Sequence, residues 1–157
     1  MQDCYRSAAS LLLLKPRDTG DGAKEYDVLL LHKPRKRDAW QLPQGGSENE
    51  ETAEQCAVRE LREEAGISDV TVLGTSDLVY QYHFPASYRR FRPDHICGQR
   101  IQFVYGVCPV DTVVTVDGVE VDAYQWIESS KIGDVLKRKE YLKLVTALLG
   151  EAMEALE

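Results

Sequence analysis

Residues 51–65 read Glu-Thr-Ala-Glu-Gln-Cys-Ala-Val-Arg-Glu-Leu-Arg-Glu-Glu-Ala, and no other stretch limits the fold as strongly. A helix starting at Glu50 or Glu51 and ending at Ala65 fits this composition, with Gly66 standing where a C-terminal glycine cap belongs. Such a helix turns about 100° per residue, so Glu60, Glu63 and Glu64 share one face. Ala57, Val58, Leu61 and Ala65 supply an apolar stripe that can pack on a sheet. Carboxylates at i, i+3 and i+4 repel one another. Solvent screens that repulsion on an ordinary acidic surface, which is the common case. A hard divalent cation also removes it, because Mg²⁺ prefers oxygen ligands.

Spacing upstream separates the two cases. Gly45, five residues, Glu51, seven residues, and then Arg59-Glu60-Leu61-x-Glu63-Glu64-x-Gly66-Ile67 fix nine positions in a 23-residue window. This pattern resembles the Nudix box. The resemblance implies a Nudix fold, an α/β/α sandwich around a mixed β-sheet, and an enzyme that hydrolyses phosphoric anhydrides. It implies Mg²⁺ as cofactor, with Mn²⁺ as substitute, held by Glu60, Glu63 and Glu64 and by the backbone of Gly45. Arg59 and Glu51 match the pair that orients the box helix. Metal-assisted attack by water needs no side-chain nucleophile. Glu63, Glu64 and Glu120 are the catalytic candidates, Glu64 and Glu120 being those for the general base.

The flanks extend the likeness over roughly residues 5–130. Trp40-Gln41-Leu42-Pro43-Gln44-Gly45-Gly46 is similar to the signature of RNA 5′-pyrophosphohydrolases and of dinucleoside-polyphosphate hydrolases. Tyr5-Arg6, Tyr82-His83-Phe84-Pro85, an arginine-rich loop and Gly98-Gln99 follow the same order. Glu120-Val121-Asp122-Ala123-Tyr124-Gln125-Trp126-Ile127 resembles a late segment whose glutamate serves the metal site, so Glu120 joins the metal candidates. Substrate-binding candidates are Arg6, Lys33, Arg35, Arg37, Gln44, Tyr82 and Arg90. Trp40 and Trp126 read as core packing, and Tyr82 as either sheet packing or a substrate contact. His32, His83 and His95 receive no catalytic role.

Apolar runs predict strands at 5–14, 26–32, 40–42, 70–73, 78–84, 100–110, 113–116 and 121–127, and helices at 129–136 and 141–156. Lys15-Pro16 is expected to end the first strand and Gly45-Gly46 to break the chain. Strands mixed with helices at the middle and end predict an α/β class, and the pattern leaves room for a single domain, 1–157.

The net charge of −7 argues against general nucleic-acid adhesion. Basic residues still cluster at Lys33, Arg35, Lys36 and Arg37 and at Arg89, Arg90, Arg92 and Arg100. Four cations in five residues exceed what a nucleoside diphosphate needs and suit a denser anion. The partner is therefore a polyanionic phosphorylated substrate: a nucleotide, an RNA 5′ end or an inositol pyrophosphate. A diphosphoinositol polyphosphate phosphohydrolase is the alternative enzyme, and a non-catalytic nucleotide- or RNA-binding module is the alternative of another kind. The four cysteines lack zinc spacing and are read as reduced, with disulfides left open. The apolar run 8–14 is too short to cross a membrane. Cytoplasmic location is the default, a secreted origin with a removed signal peptide stays open, and the oligomeric state is not readable.

Overall fold

A computed structural model describes residues 4–17, 25–34, 40–84 and 96–157. The elements are β1 (Tyr5–Arg17), β2 (Glu25–His32), β3 (Trp40–Gln41), β4 (Gln44–Gly46), α1 (Ala53–Ala65), β5 (Thr71–His83), β6 (Gly98–Val107), β7 (Ala123–Glu128), a 3-10 helix (Ser129–Asp134) and α2 (Lys139–Ala155). Lys36, Arg89, Arg92, His95 and the site candidates Arg35, Arg37 and Arg90 lie outside the described residues.

The strands form one mixed sheet with β1 at its centre. β1 runs parallel to β6 from Tyr5↔Gly98 to Leu14↔Val107, and β6 runs antiparallel to β5. β1 and β2 pair only at their hairpin end, from Leu14↔Val28 to Arg17↔Glu25. Where they part, the segment 40–46 enters: β3 pairs Leu31 and His32 of β2, and β4 pairs Ala8, Ala9 and Ser10 of β1. β7 takes the other edge of β2.

Alternation along β1 assigns the two faces. Ala8, Leu12 and Leu14 join Val28, Leu30, Ile101 and Phe103 under Tyr141, Val145, Leu148 and Ala152 of α2. Ala9, Leu11 and Leu13 join Leu29, Leu31 and Val104 under Cys56, Ala57, Leu61 and Ala65 of α1. A period-two strand buried on both faces is what a sheet covered by helices on each side requires. The expected α/β/α sandwich is therefore present.

Several local expectations change. Helix α1 begins at Ala53, because Asn49 and Glu50 take positive φ (48° and 61°) and Thr52 is the N-cap. Thr52 and Gln55 form a capping box, Thr52 Oγ1 accepting from Gln55 N at 3.1 Å and Gln55 Oε1 accepting from Thr52 N at 3.0 Å. Gly66 closes the helix in the left-handed conformation, as its position suggested. The first strand runs past Lys15-Pro16 to Arg17, since its β6 neighbour stops opposite Leu14 and a proline beyond that point interrupts one ladder at most. Gly45-Gly46 do not break the chain but form β4. Residues 70–84 hold one bulged strand in place of two. The stretch 113–116 is irregular, and Thr115 N instead donates to the free carbonyl of Ala65 at the end of α1 (2.9 Å). The helix expected at 129–136 is a short 3-10 turn.

The cysteines also depart from the reduced reading. Cys4 and Cys97 form a disulfide at the parallel entry of β1 and β6, where Cys97 N also donates to Cys4 O (2.8 Å). Cys56 and Cys108 are buried and free. Among the described residues no helix is long and apolar enough to cross a membrane.

Candidate active site

The segment Trp40–Gly46 is a strap whose backbone is specified almost atom by atom. Leu42 N donates to Tyr141 Oη (2.9 Å), while Leu11 N and Ser10 Oγ both donate to Pro43 O (3.0 Å each). Gln44 N donates to Glu64 Oε1 (2.9 Å), the Cys56 thiol approaches Gly45 O (3.4 Å), and Arg59 Nη2 donates to Gly46 O (2.8 Å). Buried backbone groups must be paired, so these contacts set the strap's position against α1.

The two glycines face opposite ways. A Cβ on Gly45 would collide with the Glu60 carboxyl, and a Cβ on Gly46 would collide with the Arg6 guanidinium. Any side chain at either position would push a functional group away. The pleat of β4 thus separates a carboxylate side from a cation side by one residue.

On the carboxylate side, Arg59 is the hub. Its Nε and Nη2 hold Glu51 Oε2 and Oε1 at 2.7 and 2.9 Å. Its Nη1 reaches Glu60 Oε1 and Glu63 Oε2, both at 3.0 Å. The Glu51 hydrogen bond, against some desolvation, keeps Arg59 firmly charged. Glu51 is held below the usual carboxylate range by the same contact, and it also accepts from Glu48 N (2.8 Å). Glu60 is different. Burial, followed by the charge of Glu64, pushes its pKa up to about 7 despite Arg59. Glu64 is 1% exposed, and burial raises its pKa although Lys33 and Gln44 N pull the other way. Lys33 Nζ is ion-paired with Glu64 Oε2. Glu63 stays half-exposed.

Glu120 lies in an exposed turn. Asp117 Oδ1 accepts from the backbone N–H groups of Val119, Glu120 and Val121 at 2.9, 3.1 and 3.0 Å and shapes that turn. Asp122 N donates to His32 O (3.2 Å), and Asp122 Oδ1 meets His32 Nδ1 (2.6 Å), tying the turn to the end of β2 beside Lys33. The charge of Glu120 is close enough to raise Glu64 further.

On the other side, sheet register lines up a row. Arg6 is opposite Gln99 and Gln99 is opposite Tyr82, so these side chains share one face. Tyr82 Oη donates to Gln99 Oε1 (2.6 Å), and the Tyr82 ring stacks near Tyr80 and Phe84, with centroids 5.8 Å away in each case. Tyr82 packs against the α2-side core, as do Tyr80 and Trp40. Trp126 packs on the α1 side with Lys15 above its ring (4.3 Å). Both tryptophans are therefore packing residues.

The described candidates thus fall into two sets that meet at Gly45-Gly46. Glu51, Arg59, Glu60, Glu63, Glu64, Lys33 and the backbone N–H of Gln44 surround one side of the strap, and Arg6 leads the row to Tyr82 on the other. Tyr141 escaped the sequence reading because a tyrosine on an amphipathic helix looks like any core position, and its hydroxyl partner is 99 residues away. Cys56 and Asp117 were missed for a similar reason, since their contacts are to backbone atoms.

The donor set fits a hard cation. Glu60 and Glu64 are carboxylates whose ionised forms burial disfavours, placed against a strap with no side chains in the way. Among the described residues no three acidic, histidine or cysteine side chains already converge on a point. Glu60 and Glu63 turn to Arg59, and Glu64 turns to Lys33, so all three would reorient to share a metal.

The NUDIX domain family model matches residues 5–148. An RNA pyrophosphohydrolase of Marinomonas sp. (strain MWYL1) is 30% identical over 166 residues, spanning 99% of this chain and 97% of that protein. A Nudix hydrolase from M. smegmatis, RenU, superposes with a TM-score of 0.71 at 22% identity, covering 97% of this chain and 88% of its own. A C. elegans Ap4A hydrolase in a binary complex gives 0.66 at 19% identity, with 93% and 98% covered. The chain belongs to the Nudix family and is a Nudix hydrolase.

Proposed function

We propose that this chain is a Mg²⁺-dependent pyrophosphohydrolase whose substrate is a 5′-phosphorylated RNA end or a dinucleoside polyphosphate. The observation that carries the reading is the buried pair Glu60 and Glu64 on the strap, Glu60 against side-chain-free Gly45 and Glu64 on the Gln44 amide. Arg59 and Lys33 each answer one of them, yet burial still holds both pKa values up, so a further cation would stabilise the ionised pair. The substrate assignment draws support from the relative named an RNA pyrophosphohydrolase, which matches nearly the whole chain.

Glu60, Glu63, Glu64 and Glu120, with the Gly45 carbonyl, would hold Mg²⁺. When bound, it supplies neutralisation of the diphosphate and a lowered pKa for water. Glu64 or Glu120 accepts the proton of the attacking water. Arg59 and Glu51 fix the pitch of α1 against the strap, so the carboxylates stay on the Gly45 side. Lys33 faces the phosphates from that side, and Arg6 from the other, where the Gln44 side chain shares the Gly46 face of β4. Tyr82, two strands away from Arg6, borders the outgoing part of the substrate. Arg35, Arg37 and Arg90, further phosphate-binding candidates from the sequence, lie outside the described residues.

A substrate panel with Mg²⁺ tests the reading: triphosphorylated RNA, diadenosine tetraphosphate, a sugar nucleotide and 5-diphosphoinositol pentakisphosphate, compared by kcat/KM. RNA or the dinucleotide is expected to lead. An inositol preference of roughly tenfold, about 1.4 kcal/mol in the transition state, would reverse the assignment. The absence of turnover on every member would favour a binding module.

A further inference from the structure

Lys33 occupies an unusual place among the cations of the described residues. It follows the last residue of β2, and its ammonium is paired with Glu64, the most buried of the box carboxylates. The Glu64 side chain is 2% exposed and that of Lys33 is 21% exposed, so the pair is buried at its carboxylate end and partly open to solvent at its ammonium end. Glu64 Oε1 is committed inside the fold to the amide of Gln44. The oxygen left for an incoming cation is Oε2, the one Lys33 holds.

We infer that Lys33 is a built-in counter-cation for Glu64 that a divalent metal must displace, and that its release delivers the ammonium to the substrate's phosphates. The inference rests on the metal site proposed above. The Lys33 ammonium stands at the Glu64 oxygen not taken by the Gln44 amide and is itself partly exposed, and Lys has the long, flexible stem that a moving charge needs. Lys33 has two acidic neighbours, Glu64 on α1 and Asp117 on the turn before β7, and the charge of Glu120 on the same turn reaches Glu64. A metal ion arriving among these carboxylates repels the ammonium, and a bound polyphosphate attracts it. Metal loading and substrate grip are thereby coupled: each makes the other more favourable.

Two measurements test this without relying on turnover. Mn²⁺ binding to the substrate-free protein is followed by the electron paramagnetic resonance of free Mn²⁺ at pH 8.5. Lys33→Met is expected to tighten Mn²⁺ binding by roughly tenfold, the scale of one charge-assisted hydrogen bond. Equal or weaker binding by the variant overturns the displacement. Failure of both proteins to bind Mn²⁺ overturns the metal site and the displacement with it, so the two readings can be told apart. The second measurement uses the wild type alone. Acetylation of Lys33, read by peptide mass against exposed Lys143, is expected to speed up when Mg²⁺ is added, and an unchanged ratio overturns the proposal even if the variant does not fold.

Discussion

The sheet is closed on each face by one long helix, yet the two interfaces are built from different chemistry. Against α2 lie Leu12, Leu14, Val28, Leu30, Phe103, Val145 and Leu148, and the one buried polar group contributed by the helix there is the Tyr141 hydroxyl. Against α1 lie Leu11, Leu13, Leu29, Leu31 and Leu61, but the same helix also buries Glu60 and Glu64. Apolar burial is worth about 1.5–3 kcal/mol per large side chain on either face. Only the α1 side sets part of that gain against carboxylates with raised pKa values. The difference teaches where the molecule holds unfavourable electrostatics: on the face that meets the glycine strap, where a cation can relieve them.

The largest expected effect lies on the α1 face. Glu64→Gln should lower kcat on the preferred diphosphate by roughly 10²–10⁴-fold, the range for losing a group that moves a proton. A variant that keeps most of its activity would move the catalytic role elsewhere. The matching change on the α2 face is Leu148→Ala, which opens a cavity in a fully buried layer. It should cost about 2–5 kcal/mol of stability, measured by urea unfolding, and leave kcat/KM nearly unchanged well below the melting temperature. A large kinetic defect there would erase the contrast between the faces.

Tyr141→Phe probes the hydrogen bond by which α2 holds the strap that also meets α1. It strands the Leu42 amide, so a loss of about 1–3 kcal/mol is expected, with a KM change larger than that of Leu148→Ala because the strap loosens. Equal KM effects in the two variants would mean that the strap is held by its other contacts alone.

The smallest effect is in pH. Glu60 titrates at about 7 in the folded protein against 4.5 ordinarily, so its proton favours folding. That contribution is complete below the ordinary value and is lost as pH rises through about 7. The metal-free melting temperature should therefore fall between about pH 5 and 8, Mg²⁺ should raise it more at the higher pH, and Glu60→Gln should flatten the trend. A Mg²⁺ shift that ignores pH in differential scanning fluorimetry would detach Glu60 from the metal.

Much of this architecture was legible in the chain. The helix face, its glycine cap and the alternation of strands buried on both sides follow from local periodicity, which needs no knowledge of partners. Where local reading failed, a long-range contact had intervened. Gly45-Gly46 look like a chain break until β1 offers them a ladder, and 113–116 look like a strand until Thr115 is drawn to the end of α1. The disulfide between Cys4 and Cys97 joins residues 93 apart and exists because parallel pairing of β1 with β6 brings them together.

The sequence by itself determined the family and the helix face that carries the carboxylates, because one short window holds the carboxylates, their spacing and the glycines that must stand near them. Only the tertiary structure decided how these groups are shared out. It divided Gly45 from Gly46, turning one to Glu60 and the other to Arg6, since a strand points successive residues to opposite faces. It buried Glu60 and Glu64 while leaving Glu63 half-exposed, since only the side of α1 packed on the strap leaves water. And it set Lys33 on Glu64, a pairing across 31 residues of chain that no local rule predicts.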